Sequence, residues 1–173
     1  MVTRKPVVSV FGSNTIDDPH VTELAEGLGK LIVDLGCRVC TGGLTGVMQA
    51  VSKGGRSSEK WTGNEVIGII PQDDPSHANE FVDVVVPTGL GLYRNIMVAR
   101  AGDACIAISG STGTLSEMAF SWQLGKPLAA MSTTGGWAGK LAGESLDAGR
   151  SDSIEPLPDL EKAKNWLTGV LGL

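Results

Sequence analysis

At 173 residues the chain suits one domain, residues 1–173, with room for a substantial core, and no apolar run reaches membrane-spanning length. A net charge of -5, aromatics at only 5% and basic residues scattered apart from Arg4-Lys5 argue against nucleic acid as the main partner, because a phosphate polymer needs a basic face. Met1 to Pro6 is charged and runs straight into an apolar segment, leaving no room for a signal-peptide core, so a cytoplasmic location and no membrane partner are expected.

Lys5 to Phe11 is a compact apolar run stopped by Gly12-Ser13-Asn14, which predicts a buried first strand and a tight turn. The period then changes. Val21, Leu24, Ala25, Leu28, Leu31, Ile32 and Leu35 recur at three- and four-residue spacing, predicting a helix from about Asp18-Pro19 to Gly36. Cys37 to Thr41 follows as a second strand. Cys37 and Cys40 have the spacing of a redox or zinc pair, but three residues apart on a strand they face opposite sides of a sheet and no second ligand pair exists. They read as core.

Thr41 to Met48 repeats the order strand, glycine turn, helix, with Gly42 and Gly43 in the turn and Val47, Met48 and Val51 on the inner face. Gly54 to Asn64 reads as a polar surface loop, its Trp61 packing back on the body, with covering a pocket as the alternative. Glu65–Ile70 and Val82–Val86 are the third and fourth strands. His77, between them, is expected to face solvent; neither it nor His20 has a carboxylate or cysteine cluster nearby in sequence, and no metal site is expected. Pro87 to Asn95 carries Gly89 and Gly91 into a helix ending near Ala101. Arg94 lies in its first turns, where the helix dipole disfavours a cation, so a ligand phosphate or Glu117 is the expected partner; a plain surface arginine is the alternative.

Ala104 to Ile108 has the length and composition of a buried fifth strand, and Ser109-Gly-Ser-Thr-Gly-Thr114 opens the next helix. Helix N-termini leave N–H groups unpaired and carry partial positive charge. The backbone of Thr112, Gly113 and Thr114, with the hydroxyls of Ser109, Ser111, Thr112 and Thr114, therefore suits an anion; an ordinary turn capped by Ser111 or Thr112 is the alternative. The helix is expected to bury Leu115, Met118, Ala119 and Trp122, with Glu117 off that stripe. Lys126 to Met131 is a sixth strand, Ala138 to Ala148 a short helix, and Leu160 to Leu171 a terminal amphipathic helix. This alternation predicts an α/β fold, a single Rossmann-like domain with a mostly parallel sheet of about six or seven strands and helices on both faces. Gly12, Ser13, Gly42, Gly43, Gly89, Gly91, Arg94 and Ser109 to Glu117 would then gather at the strand C-termini, where open α/β sheets bind ligands.

With Arg94 and Ser-Gly-Ser-Thr-Gly-Thr-Leu-Ser-Glu in place, the sequence resembles the Lonely Guy (LOG)-like Rossmann superfamily, once widely labelled lysine decarboxylases. No lysine lies in the turns to form a Schiff base, so that old label finds no support. Gly110, Gly113, Thr114 and Glu117 match the superfamily's Pro-Gly-Gly-x-Gly-Thr-x-x-Glu motif, and Arg94 matches the arginine one helix earlier. Ser109 replaces the motif proline, Ser111 its second glycine, Asn95 the lysine that follows the hydrolase arginine, and Leu92 a common histidine. Thr41-Gly-Gly, Pro87-Thr-Gly-Leu-Gly with Arg94-Asn95, and Gly136-Trp-Ala-Gly-Lys-Leu-Ala-Gly look closer to the branch containing molybdenum cofactor carrier proteins.

The resemblance implies a homodimer or higher homo-oligomer, and the helix with Met118 and Trp122 is a plausible contact face, with burial of both residues in the core as the equal alternative. It leaves two functions open. One is a binding or carrier protein for a phosphorylated nucleotide-like or pterin-type molecule, with no required cofactor and a nucleotide or molybdenum cofactor as the bound species. The other is a phosphoribohydrolase of a nucleoside 5′-monophosphate, in which Arg94 and Glu117 would be catalytic.

Overall fold

In the computed structural model, which describes residues 4–173, seven parallel strands form one sheet in the order β4-β3-β2-β1-β5-β6-β7. The strands are β1 Val7–Gly12, β2 Arg38–Thr41, β3 Val66–Ile70, β4 Val84–Pro87, β5 Ala104–Ile108, β6 Leu128–Met131 and β7 Glu155–Leu157. The helices are α1 Pro19–Asp34, α2 Val47–Arg56, α3 Asn95–Ala101, α4 Thr112–Gln123, α5 Gly136–Leu141 and α6 Leu160–Leu171. The fold is the expected Rossmann-like α/β architecture. From β1 the chain builds outward to β4, then returns to lay β5 on the other side of β1, with Val10 beside Ile106 and Gly12 beside Ile108. The strand order therefore reverses between β1 and β5, opening a crevice at their C-terminal ends.

Each face of the sheet has its own core. Val8 and Val10 point into a cluster with α1, α2 and α6, whereas Phe11, Cys40, Cys105 and Ala107 point into one with α3, α4 and α5. Cys37 and Cys40 fall in opposite clusters, as their spacing requires, and both are free thiols. Asp18 caps α1 by accepting from the His20 N–H at 2.9 Å, and Pro19 starts that helix where its missing N–H costs nothing.

Three local expectations change. Gly54 to Arg56 is helix rather than loop, because α1 and α2 pack backbone to backbone: a Cβ on Gly54 would strike the Glu26 carbonyl, and one on Gly29 the Val51 carbonyl. Glycine here is selected for close helix approach, which local propensity reads as a break. The rest of that segment folds back as expected, with Trp61 Nε1 donating to Asp83 at 2.9 Å and its ring beneath the Arg56 guanidinium. The helix predicted over 138–148 is only Gly136–Leu141. The seventh strand, which contains Pro156 and spans three residues, is too short to have shown a period.

Met118 and Trp122 are buried in the core of their own chain, so they form no contact face. Of the stripe assigned to α4, Leu115 and Ala119 are only half-buried; the buried line is Thr114, Glu117, Met118, Ser121 and Trp122. Glu117 thus points inward, because α4 packs beside α3 as well as on the sheet.

Candidate functional site

The crevice between β1 and β5 continues into a pocket of about 120 Å³ lined by Gly12, Ser13 and Asn14 after β1, Leu44 and Met48 after β2, and Pro71 after β3. Gly91, Leu92, Arg94 and Asn95 close one side, and Ser111, Gly113 and Glu117 of the α4 start close the other. That volume holds about four waters, enough for a phosphate-sized group. A second cleft of about 290 Å³ adjoins it, sharing Ser13 and Ser111 and adding Thr15, Asp17, Asp18, Ser109, Gly110 and Thr134. Segments that follow five strands, β1 to β5, meet here, and the reversal of sheet order at β1 is what sets the α4 start opposite the other four.

Arg94 is the centre of the pocket. It ends the 3-10 turn Gly91–Arg94 and is only 7% exposed. One terminal nitrogen, Nη1, donates to Asn95 Oδ1 at 2.6 Å and approaches Glu117 Oε1 at 3.4 Å, while Nη2 donates to the Gly42 carbonyl at 3.2 Å. Its Nε is buried without an acceptor. A Cβ on Gly42 would collide with Nη2 and with Met48 Sδ, so glycine at that turn is what lets the guanidinium lie across it. Asn95, where the hydrolases carry lysine, positions the arginine and donates through Nδ2 to Ser116 Oγ at 2.9 Å. Ser116 in turn donates to the Gly113 carbonyl, tying α3 to the first turn of α4.

The β5 turn is held in a demanding conformation. Ser109 has φ +50°, a region costly for a side-chain-bearing residue, and its N–H donates to Thr134 Oγ1 at 2.7 Å. The carbonyls of Ser109 and Gly110 accept from the N–H groups of Ala138 and Trp137, at 2.9 and 3.2 Å. Gly136 packs so closely on this turn that a Cβ would overlap the Ser109 and Gly110 backbone. With the carbonyls engaged by α5, the polarity left facing the crevice belongs to the α4 N-terminus. Ser111 occupies the N-cap position, but its hydroxyl makes no capping bond, so the ordinary-cap reading of this turn loses its central contact. Thr114 Oγ1 is also buried without a partner.

Glu117, 6% exposed, faces Arg94. Burial pushes its carboxyl up to about 8, the Arg94 charge offsetting only part of that effect across a long 3.4 Å contact. Burial also lowers the Arg94 pKa, opposed by Glu117, but the guanidinium stays charged. At neutral pH the pocket therefore holds a cation, a neutral acid and a helix N-terminus, an arrangement that attracts an anion.

Of the residues singled out in the sequence, Gly12, Ser13, Gly91, Arg94, Ser111, Gly113 and Glu117 line this pocket, and Ser109 and Gly110 line the adjoining cleft. Gly42 supports Arg94 from beneath. Gly43 packs against Ile70 and Gly68, Gly89 turns toward Asp73, Thr112 is exposed and Thr114 packs on Gly110; none of these four lines either cavity. Asn14, Leu44, Met48, Pro71 and Asn95 were not identified as pocket residues. Asn14 and Pro71 signal themselves only by position next to strand ends, Asn95 only by its departure from the hydrolase motif, and Met48 reads in the sequence as the core face of α2. Among the described residues no group of three or more His, Cys, Asp or Glu side chains is arranged for a metal ion, and no helix is long and apolar enough to cross a membrane.

The chain superposes on the molybdenum cofactor binding protein from the phototrophic bacterium Rippkaea orientalis, at a TM-score of 0.83 and 27% identity over 97% of this chain and 98% of that one. The molybdenum cofactor carrier protein of Chlamydomonas reinhardtii gives 0.81 and 30%, covering 98% and 99%. In sequence, an uncharacterized protein of Archaeoglobus fulgidus is 33% identical over 124 residues, 72% of this chain and 78% of its own length. The SLOG cluster4 family model matches residues 5–155, from the first strand to the start of β7, and so includes every residue that lines the pocket. The chain is a member of the SLOG cluster4 family.

Proposed function

We propose that this protein binds a phosphorylated small molecule of nucleotide or pterin type without breaking a bond in it, as a binding or carrier protein. One observation carries the reading: a buried arginine with an unsatisfied Nε beside an uncapped helix start, in a pocket sized for a phosphate. The adjoining cleft supports the larger part of the ligand, since its hydroxyls and the carboxylates of Asp17 and Asp18 suit the amino and ring N–H groups of a purine or pterin. Likeness to molybdenum cofactor binding and carrier proteins favours the pterin over the purine. Thermal shift is the direct test: AMP and a pterin phosphate should raise the melting temperature and adenosine should not. Equal shifts from AMP and adenosine would remove the phosphate from the proposal.

Glu117 gives a second reading its one foothold, because its carboxyl lines the same pocket as the helix start. In a phosphoribohydrolase it would have to be ionised to stabilise an oxocarbenium-like ribose while water adds to the anomeric carbon and the base leaves with a proton. Held protonated to about pH 8, it is poorly set for that at neutrality. Wild-type protein should release no adenine from AMP; steady release that rises toward pH 8 and vanishes in Glu117→Gln would establish the hydrolase instead.

A further inference from the structure

Arg94 and Glu117 are the two charged residues lining the pocket, and they do not pair as buried opposite charges usually do. A guanidinium left beside a carboxylate in a dry site closes into a two-pronged pair at about 2.7–2.9 Å. Here a single Arg94 nitrogen, Nη1, stands 3.4 Å from Glu117, and the same nitrogen donates to Asn95 Oδ1 at 2.6 Å. Asn95 is only 5% exposed and is itself held, because its Nδ2 donates to Ser116 Oγ and Ser116 donates to the Gly113 carbonyl. On the other side the Gly42 carbonyl holds Nη2. The acceptor able to carry a full charge thus has the longest contact.

We propose that Asn95 is the positioning residue of this pocket: by holding Arg94 Nη1 it keeps the guanidinium from closing on Glu117 and leaves the cation's charge to an anionic ligand. The inference rests on the reading of the pocket as an anion site. An amide and a backbone carbonyl hold the guanidinium, and both are neutral, so neither cancels its charge. With Arg94 kept at a distance, burial decides the state of Glu117 and holds it protonated. No other group takes the place of Arg94. The titratable groups near Glu117 on the neighbouring strands are the thiols of Cys40 and Cys105, which burial pushes up to about 12 and about 11, and Arg100 of α3 and Lys140 of α5 are exposed. Without Asn95 the acceptor left to Nη1 is Glu117 Oε1. The pair would close, Glu117 would ionise, and the pocket would go from net positive to neutral.

A titration and a binding cycle test this separately. In ligand-free protein, carbon-13 NMR should follow the Glu117 carboxyl, identified by its loss in Glu117→Gln, and its midpoint at about 8 should drop by about one pH unit or more in Asn95→Leu. Ser116→Ala loosens Asn95 without touching Arg94 or Glu117 and should lower the midpoint by about half as much. By calorimetry at neutral pH, Asn95→Leu should weaken binding of inorganic phosphate and of AMP about tenfold, but less than about twofold where Glu117→Gln has removed the carboxylate that would capture Arg94. A merely structural residue would cost the same in both backgrounds. A Glu117 midpoint that stays put in folded Asn95→Leu, or in Ser116→Ala should the first variant not fold, overturns the proposal; so does an equal loss of affinity with and without Glu117. A wild type that binds neither phosphate nor AMP would instead refute the anion reading, and the ligand-free midpoint would then decide by itself whether Asn95 holds Arg94 off Glu117.

Discussion

Two glutamates, at opposite ends of the same sheet, differ in how completely their charge is met. Glu65 precedes β3 at the N-terminal edge, and its side chain is 1% exposed. It accepts from Lys5 Nζ, Thr62 N and Thr62 Oγ1 at 2.7 Å each and from Asn64 N at 3.2 Å. Those donors overcome burial and hold its carboxyl down at about 2. Glu117, at the C-terminal edge, lies deeper among protein atoms and has one long contact to Arg94, and burial drives it up to about 8. A saturated buried carboxylate is a clamp, here fastening the loop before β3 to the N-terminal segment. An undersaturated one, beside an arginine with a spare N–H, is the pattern that the proposed binding site would use. Asp83 and Asp103 repeat the clamp pattern along the same edge. Asp83 accepts from Arg56, Trp61 and Val66, and Asp103 from Arg4 and Val7.

The contrast breaks most visibly at the clamp. Glu65→Ala would leave three loop donors and Lys5 without an acceptor and should cost about 3 kcal/mol in urea unfolding, or a melting temperature lower by about 6–12 °C. A loss under about 1 kcal/mol would mean that the clamp is ornamental. The pH dependence has its own sign. With a folded value near 2 against an ordinary 4.5, the Glu65 contribution is complete above pH 4.5 and disappears as pH falls toward 2.

At the other end, Arg94→Ala should weaken binding of AMP or a pterin phosphate by about 1.5–3 kcal/mol, roughly ten- to a hundredfold, by calorimetry. An unchanged affinity would detach Arg94 from the phosphate. Wild-type affinity should itself fall as pH passes 8, because ionised Glu117 then sets a negative charge beside the bound anion, and Glu117→Gln should abolish that fall.

Glu117 also gives stability an opposite slope from Glu65. Its folded value is raised, so the native state holds a proton that the unfolded chain releases, and stability should decline between pH 4.5 and 8 by at most about 1.4 kcal/mol per pH unit. Comparing Glu117→Gln with wild type across that range isolates the slope; parallel curves would refute the raised value. The smallest expected effect is Ser111→Ala, under about 0.5 kcal/mol, since this N-cap hydroxyl makes no capping bond. Asp159→Ala should cost about 1 kcal/mol, because Asp159 does accept from the Lys162 N–H at 2.8 Å. A larger loss at Ser111 would restore the ordinary-cap reading.

The sequence by itself determined the order of elements from β1 to β6, the separation of Cys37 from Cys40 and the motif that opens α4. Each rests on periodicity or on residue types within a few positions, and local sterics enforce both. It also marked Arg94 and Glu117 as residues to watch, through the misplaced cation and the family motif. Tertiary structure alone decided that Glu117 turns inward, since the α3 neighbour that buries it lies a strand and a turn away in sequence. It decided too that Gly54 continues a helix, because only the Glu26 carbonyl across the interface explains the glycine. And it decided which strand ends share a pocket. Asn14, Met48, Pro71 and Asn95 follow the neighbouring strands β1 to β4, and they meet Ser111, Gly113 and Glu117 because β5 returns to the far side of β1, a choice made by packing the two cores and written in no local pattern.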